Sequence, residues 1–257
     1  MRFFKSLFLV VNFQTILVTL FAVLSTYLCK KYSLTADFPL TLIGIAIVFP
    51  VVFSIGEAYK RREKALDQYA ILKAHGRAIY FASRDWIKDD SKKTDEDLRQ
   101  IFKSLFEDLT HYFHSNSNKE VLEREKRLYN DFTDLSLFIE SMRLRGLSGS
   151  EVSRVNQYLN KMMTGFESMK HIFQYRTPRT LRLYSKLFIY ILPALYGPYF
   201  AYISIEQYSG LVYIMPILFS LVLVSLDNIQ DHLENPYDQN GEDDITLNAG
   251  KFVENLV

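Results

Sequence analysis

The chain has 257 residues, 49% of them hydrophobic and 15% aromatic, and a formal net charge of +1. Balanced charge with no dominant basic face excludes a nucleic-acid partner held electrostatically, and a single cysteine, Cys29, excludes an internal disulfide or a cysteine-rich metal site. Four apolar runs lie near the two ends and a strongly charged stretch lies between them, so the chain does not read as one ordinary water-soluble domain.

Residues Met1 to Ser6 form a short basic lead. The apolar run that follows, from about Leu7 to Leu28, has the roughly 20 residues needed to cross hydrocarbon. It is too long for the core of a signal peptide and lacks a small-residue cleavage site, so it reads as a membrane span, with Asn12 and Gln14 turned toward protein. A short connector, Cys29 to Asp37, joins it to a second span, Phe38 to Gly56, as a hairpin. On a helix, Ile45, Phe49 and Phe53 recur every fourth position and form one stripe, which Leu42 extends by a turn. Spacing alone favours lipid-facing or helix-packing bulk for that stripe. Thr41, Gly44, Ala46 and Ser54 are small enough for neighbouring helices to approach. The segment ends at Glu57-Ala58-Tyr59-Lys60-Arg61-Arg62-Glu63-Lys64, which a bilayer core would not accept, so one helix is expected to leave the membrane and continue into water to about Trp86.

The stretch from Glu57 to about Lys186 carries helical periods throughout. Lys88 to Lys93 reads as a solvated loop, and Thr94 as the cap of a helix whose inner face holds Leu98, Ile101, Phe102, Leu105 and Phe106. Ser115 to Asn118 breaks it. Another amphipathic helix runs from Lys119 to about Leu144 and stops at Gly146. Ser148-Gly149-Ser150-Glu151 opens the next, with Val152, Val155, Leu159, Met162, Phe166 and Met169 inward. No alternating strand pattern and no fixed-period repeat occurs. Thr177-Pro178 marks a boundary, because the residue before proline resists helix. A third span follows from about Leu187 to Ile203 with Pro193, Gly197 and Pro198, and a fourth from Leu211 to Leu226 with Pro216. The chain from Asp227 onward carries a dense carboxylate turn, Asn235 to Ile245.

The expected fold is an all-α membrane protein: transmembrane helices one and two in residues 1–56, a cytosolic helical domain in 57–186, helices three and four in 187–226, and an acidic C-terminal tail in 227–257. Lysine and arginine near the spans set the orientation. Lys60, Arg61, Arg62 and Lys64 flank span two, and Arg176, Arg179, Arg182 and Lys186 flank span three. The central domain and both termini are therefore expected in the cytosol of a multi-pass protein of the cell membrane. No phosphate loop, zinc helix or nucleophile elbow is present, and the five histidines are scattered apart from His111 and His114. An enzyme is the class least supported.

Three stretches, in their order along the chain, resemble the bestrophin family of ion channels. The first is the triplet Ile45, Phe49, Phe53 followed by Arg61. The second is Thr177-Pro178 leading through Leu183-Tyr184-Ser185 into span three. The third is Asn235-Pro236-Tyr237 followed by Glu242-Asp243-Asp244-Ile245. The order and spacing of spans are similar over nearly the whole chain. Two departures stand out: Arg62 and Glu63 occupy positions where the family often has tryptophan, and Asp238 stands where the family has glycine after the Asn-Pro-aromatic turn. The resemblance implies a homo-pentamer whose second span lines a pore, with Ile45, Phe49 and Phe53 as a hydrophobic neck, and conduction of small ions such as chloride. It also places a cytosolic aperture near Tyr175, Arg176 or Thr177. Calcium at the turn of Asn235, Asn240, Glu242, Asp243 and Asp244 is one reading of the acidic cluster. The other, which the shifted glycine favours, is docking of that turn on the basic belt Lys60, Arg61 and Arg62. The rival to a channel is a membrane-anchored helical interaction or signalling protein without a pore.

Overall fold

The structure is a computed structural model, and it describes residues 11–37, 40–87, 92–115, 117–175, 178–206, 212–239 and 244–256. The described residues contain helices and no strand. In chain order the helices are α1 (Phe13–Lys31), α2 (Leu40–Asp85), α3 (Lys92–Phe113), α4 (Asn118–Leu144), α5 (Gly149–Gln174), α6 (Arg179–Leu195), α7 (Gly197–Glu206), α8 (Ile214–Glu234) and α9 (Ala249–Glu254). They fall into two compact units, with α2 contributing to both: residues up to Arg62 belong to the first unit and those from Glu63 to the second.

The first unit contains α1, the apolar part of α2, and α6 to α8. Asn12 caps α1 and exchanges hydrogen bonds with Thr15, while Lys30 and Lys31 sit in its last turn, so both ends of the helix carry the chemistry their orphan backbone groups require. Val18, Val51, Ile189, Leu192, Tyr196, Phe200, Leu223 and Val224 form its core. Polar side chains stitch the helices together. The Ser25 hydroxyl donates to the Ala194 carbonyl at 2.6 Å, Asn12 Nδ2 donates to Asn228 Oδ1 at 2.9 Å, and Ser220 donates to Thr19 at 3.1 Å. In apolar surroundings such bonds replace the hydration that is missing.

The expected third span is not one helix. It divides at Tyr196 into α6 and α7. Gly197, the first residue of α7, lies so close to α1 that a Cβ there would sit 2.3 Å from Ser25 Oγ; only glycine allows that approach. α8 in turn runs two turns beyond the expected end at Leu226, to Glu234. Among the described residues two helices, α1 and α8, are long and apolar enough to cross a membrane. The 17-residue α6 and the 10-residue α7 are each too short to span a bilayer of about 30 Å alone.

The second unit packs the polar part of α2 with α3, α4, α5 and α9 around an aromatic core of Phe102, Phe106, Tyr112, Phe113, Phe166 and Tyr237. The helix expected to open at Ser148 does so, with Ser148 and Glu151 forming a capping box at the start of α5. Thr94 is not a cap: α3 begins at Lys92 and places Thr94 within its first turn. Pro236–Gln239 and the chain from Asp244 are part of this unit. Tyr237 is fully buried and stacks on Phe113 at 4.2 Å between ring centres, and Ile245, Leu247, Phe252 and Leu256 are buried with it.

Candidate functional site: an uncovered aromatic stripe on the long helix

The four-residue spacing of Ile45, Phe49 and Phe53 becomes a physical stripe on α2, because every fourth residue of a helix falls nearly one turn on. The three side chains are 59%, 60% and 55% exposed in the single chain. Val51, Ser54 and Ala58, on other faces of the same helix, are buried. The Phe49 and Phe53 rings meet edge to face with centres 4.4 Å apart, which presents a positive ring edge beside a negative face. Val52 and Tyr59 widen the exposed band. Gly44 and Gly56 do not serve close packing within the chain, since a Cβ at either would meet nothing within 4 Å. The side chains of Leu42, Thr41 and Ala46 lie outside the described residues. Chemically the stripe offers no proton, charge or ligand atom; it is a surface that lipid, a neighbouring chain or a narrow dewetted passage could cover.

The stripe ends where charge begins. Lys60 Nζ lies 2.8 Å from Glu57 Oε1, and Arg61 is half-buried. Of the expected aperture residues, Tyr175 ends α5, donates its backbone N–H to the His171 carbonyl and rests on the His171 ring at 4.8 Å, with its side chain exposed. Arg176 and Thr177 lie outside the described residues. Beside Tyr175 is an open cleft of about 640 Å³ lined by Lys64, Thr164, Glu167, Lys170 and His171 among others.

The acidic turn is pinned at both ends. Ile245 N–H donates to the Pro236 carbonyl at 2.8 Å, and Gln239 Nε2 donates to the Ile245 carbonyl at 3.0 Å. Asn235 follows the last residue of α8, and Asp244 is half-buried. Asn240, Glu242 and Asp243 lie outside the described residues, and among those described no group of three or more His, Cys, Asp or Glu residues could hold a metal ion.

The sequence reading missed a polar cluster of the first unit. Arg182 and Lys186, one turn apart on α6, face Asp227, Asp231 and Glu234, which recur at one-turn spacing on α8. Arg182 lies 2.7 Å from both Asp231 Oδ1 and Glu234 Oε2. Lys186 lies 2.7 Å from Asp231 and 4.0 Å from Asp227. Asp227 and Glu234 are 0% and 3% exposed, so the cations that had served only to orient the chain are the counter-charges that make burial of these carboxylates tolerable. The signal was two complementary stripes at helical spacing, 182/186 and 227/231/234.

No protein-family model matches the chain, and no curated protein matches it in sequence. Solved structures do match. A bacterial bestrophin homologue from Klebsiella pneumoniae superposes with a TM-score of 0.78 at 17% identity, over 95% of this chain and 96% of that one. A single-substitution variant of the same Klebsiella protein gives 0.78 at 16% identity over 98% and 97%. A variant of another structure, described as a membrane protein, gives 0.80 at 14% identity over 96% and 97%. The chain has the bestrophin fold. The agreement extends over nearly the full length of both chains.

Proposed function

We propose that this chain is a bestrophin-family ion channel of the cell membrane, a homo-pentamer in which α2 of each copy lines a central pore. The observation that carries the reading is the uncovered stripe Ile45, Phe49 and Phe53 on the long helix of a bestrophin fold. Five copies would stack three apolar rings into a neck, where water is held weakly and passage depends on width and wetting. Edge-to-face phenylalanines can turn positive ring edges toward an anion, which favours chloride and other monovalent anions. In this reading α1, the apolar part of α2, the α6–α7 pair and α8 are the four membrane passages, and the second unit and both termini face the cytosol. Tyr175, with Arg176 and Thr177, borders a cytosolic aperture. The acidic turn of Asn235, Asn240, Glu242, Asp243 and Asp244 docks structurally or takes calcium.

Purified protein in planar bilayers tests conduction and its sign together. The expected result is a current whose reversal potential in asymmetric potassium chloride follows the chloride gradient. A current that follows potassium would keep the channel and remove the anion assignment. Absence of current would favour a membrane-anchored helical protein without a pore.

A further inference from the structure

We propose that Lys73, Arg77 and Lys251 form a binding site for a phosphate-bearing polyanion on the second unit, a site separate from the stripe and independent of ion conduction. Lys73 and Arg77 stand four residues apart on α2 and so share one face. α9 brings Lys251 to the same place. Gly76 lets it do so: a Cβ there would lie 3.1 Å from the Phe252 ring, so the bare backbone of α2 admits that ring. Two of the three cations rest on aromatic rings. The Lys73 ammonium lies 4.3 Å over the Tyr69 ring, the Tyr69 hydroxyl accepts the Asn248 backbone N–H at 3.4 Å, and the Arg77 guanidinium sits 5.8 Å from the Phe252 ring. Asn248 in turn caps α9, accepting the Lys251 N–H at 2.8 Å.

Among the described residues none of the three cations has a carboxylate within ion-pair distance. That is unlike Arg99, Arg182, Lys170 and Lys186 in the same chain, each of which is matched by acid. The Lys73 ammonium is held below its ordinary range by burial and by the positive charges of Arg77 and Lys251. Like charges gathered on one face repel one another, and a bound anion relieves that repulsion. A guanidinium presents a planar fork that matches phosphate oxygens two at a time, and two ammonium groups add point charges. A ligand with two or more closely spaced negative charges fits; a single carboxylate would leave charge unmatched. The source of such phosphate is a soluble metabolite or a lipid headgroup.

Calorimetry on the full chain in detergent, with sodium tripolyphosphate in about 0.1 M salt to screen diffuse attraction, tests the site. Binding to the wild type should weaken about tenfold or more in Arg77→Ala and in Lys251→Ala, and less in Arg77→Lys, which keeps the charge and loses the fork. Lys126→Ala, an exposed cation on α4, should leave it unchanged. Tripolyphosphate should also raise the melting temperature of the wild type and not that of Lys73→Met/Lys251→Met, a readout that needs only folded protein. Repeating the titration in nanodiscs with phosphatidic acid separates the sources: competition assigns the site to a headgroup, and undiminished binding assigns it to a soluble phosphate. No binding, or a loss as large in Lys126→Ala as in Arg77→Ala, overturns the proposal.

Discussion

Asp131 shows how one buried carboxyl sets a pH dependence. It is 7% exposed, accepts a hydrogen bond from Ser104 at 2.8 Å through Oδ1, and has no partner for Oδ2. Burial, followed by the nearby Asp108 and Asp134, pushes it from 3.8 up to about 6. A carboxyl that titrates higher folded than unfolded binds its proton more tightly when folded. It therefore favours folding below about pH 4 and loses that contribution as the pH climbs to about 6. Asp131→Asn keeps the acceptor for Ser104 and removes the charge. Thermal unfolding in detergent should show a stabilisation on the order of 1–3 kcal/mol at pH 7.5 that shrinks toward zero near pH 4. An equal effect at both pH values would contradict the assignment. Nothing in the sequence marks Asp131, because its burial is created by α3 and α4 packing together.

At the scale of elements, what could be read was local and what could not be read was pairing. The capping box of Ser148 and Glu151 and the inward face of α5 follow from residues within a few positions of one another. The break at Tyr196 does not: Pro193, Gly197 and Pro198 signal trouble for a helix, but where it breaks depends on Ser25 of α1, distant in sequence. Gly197→Ala should accordingly cost about 1–3 kcal/mol through the clash with Ser25, and Ser25→Gly/Gly197→Ala should recover part of it in the same unfolding assay. The stripes of α6 and α8 were visible separately, but only the fold shows that they face each other. The end of the chain is a parallel case. Arg99 binds Asp95 at 2.7 Å, the Tyr80 hydroxyl, the Val253 carbonyl at 3.2 Å and the Leu256 carbonyl, tying α9 to α3. Arg99→Ala should raise hydrogen exchange across residues 249–256 by about tenfold or more while α5 stays protected; unchanged exchange would mean that Phe252 and Leu256 hold the segment without it.

For the whole molecule, the all-helical class and the order of apolar and charged segments were legible because they depend on composition and period. The stripe was legible as spacing, and its exposure needed coordinates: Ile45, Phe49 and Phe53 carry the same residue types as buried Ile79, Phe102 and Phe106. The burial of Tyr237, Ile245 and Phe252 was not legible, because these apolar residues are dispersed among carboxylates and too far apart to read as an element. A pentamer should appear in native mass spectrometry as five copies of a 30.1 kDa chain; monomers alone would remove the central pore. The most direct test is halide flux into liposomes that contain the purified protein, compared with Ile45→Ala/Phe49→Ala/Phe53→Ala. If the stripe is the neck, the wild type conducts and the triple variant, with its apolar rings cut back, conducts faster by at least about tenfold. Equal flux from both proteins, or none from either, would contradict a gate made by these three residues.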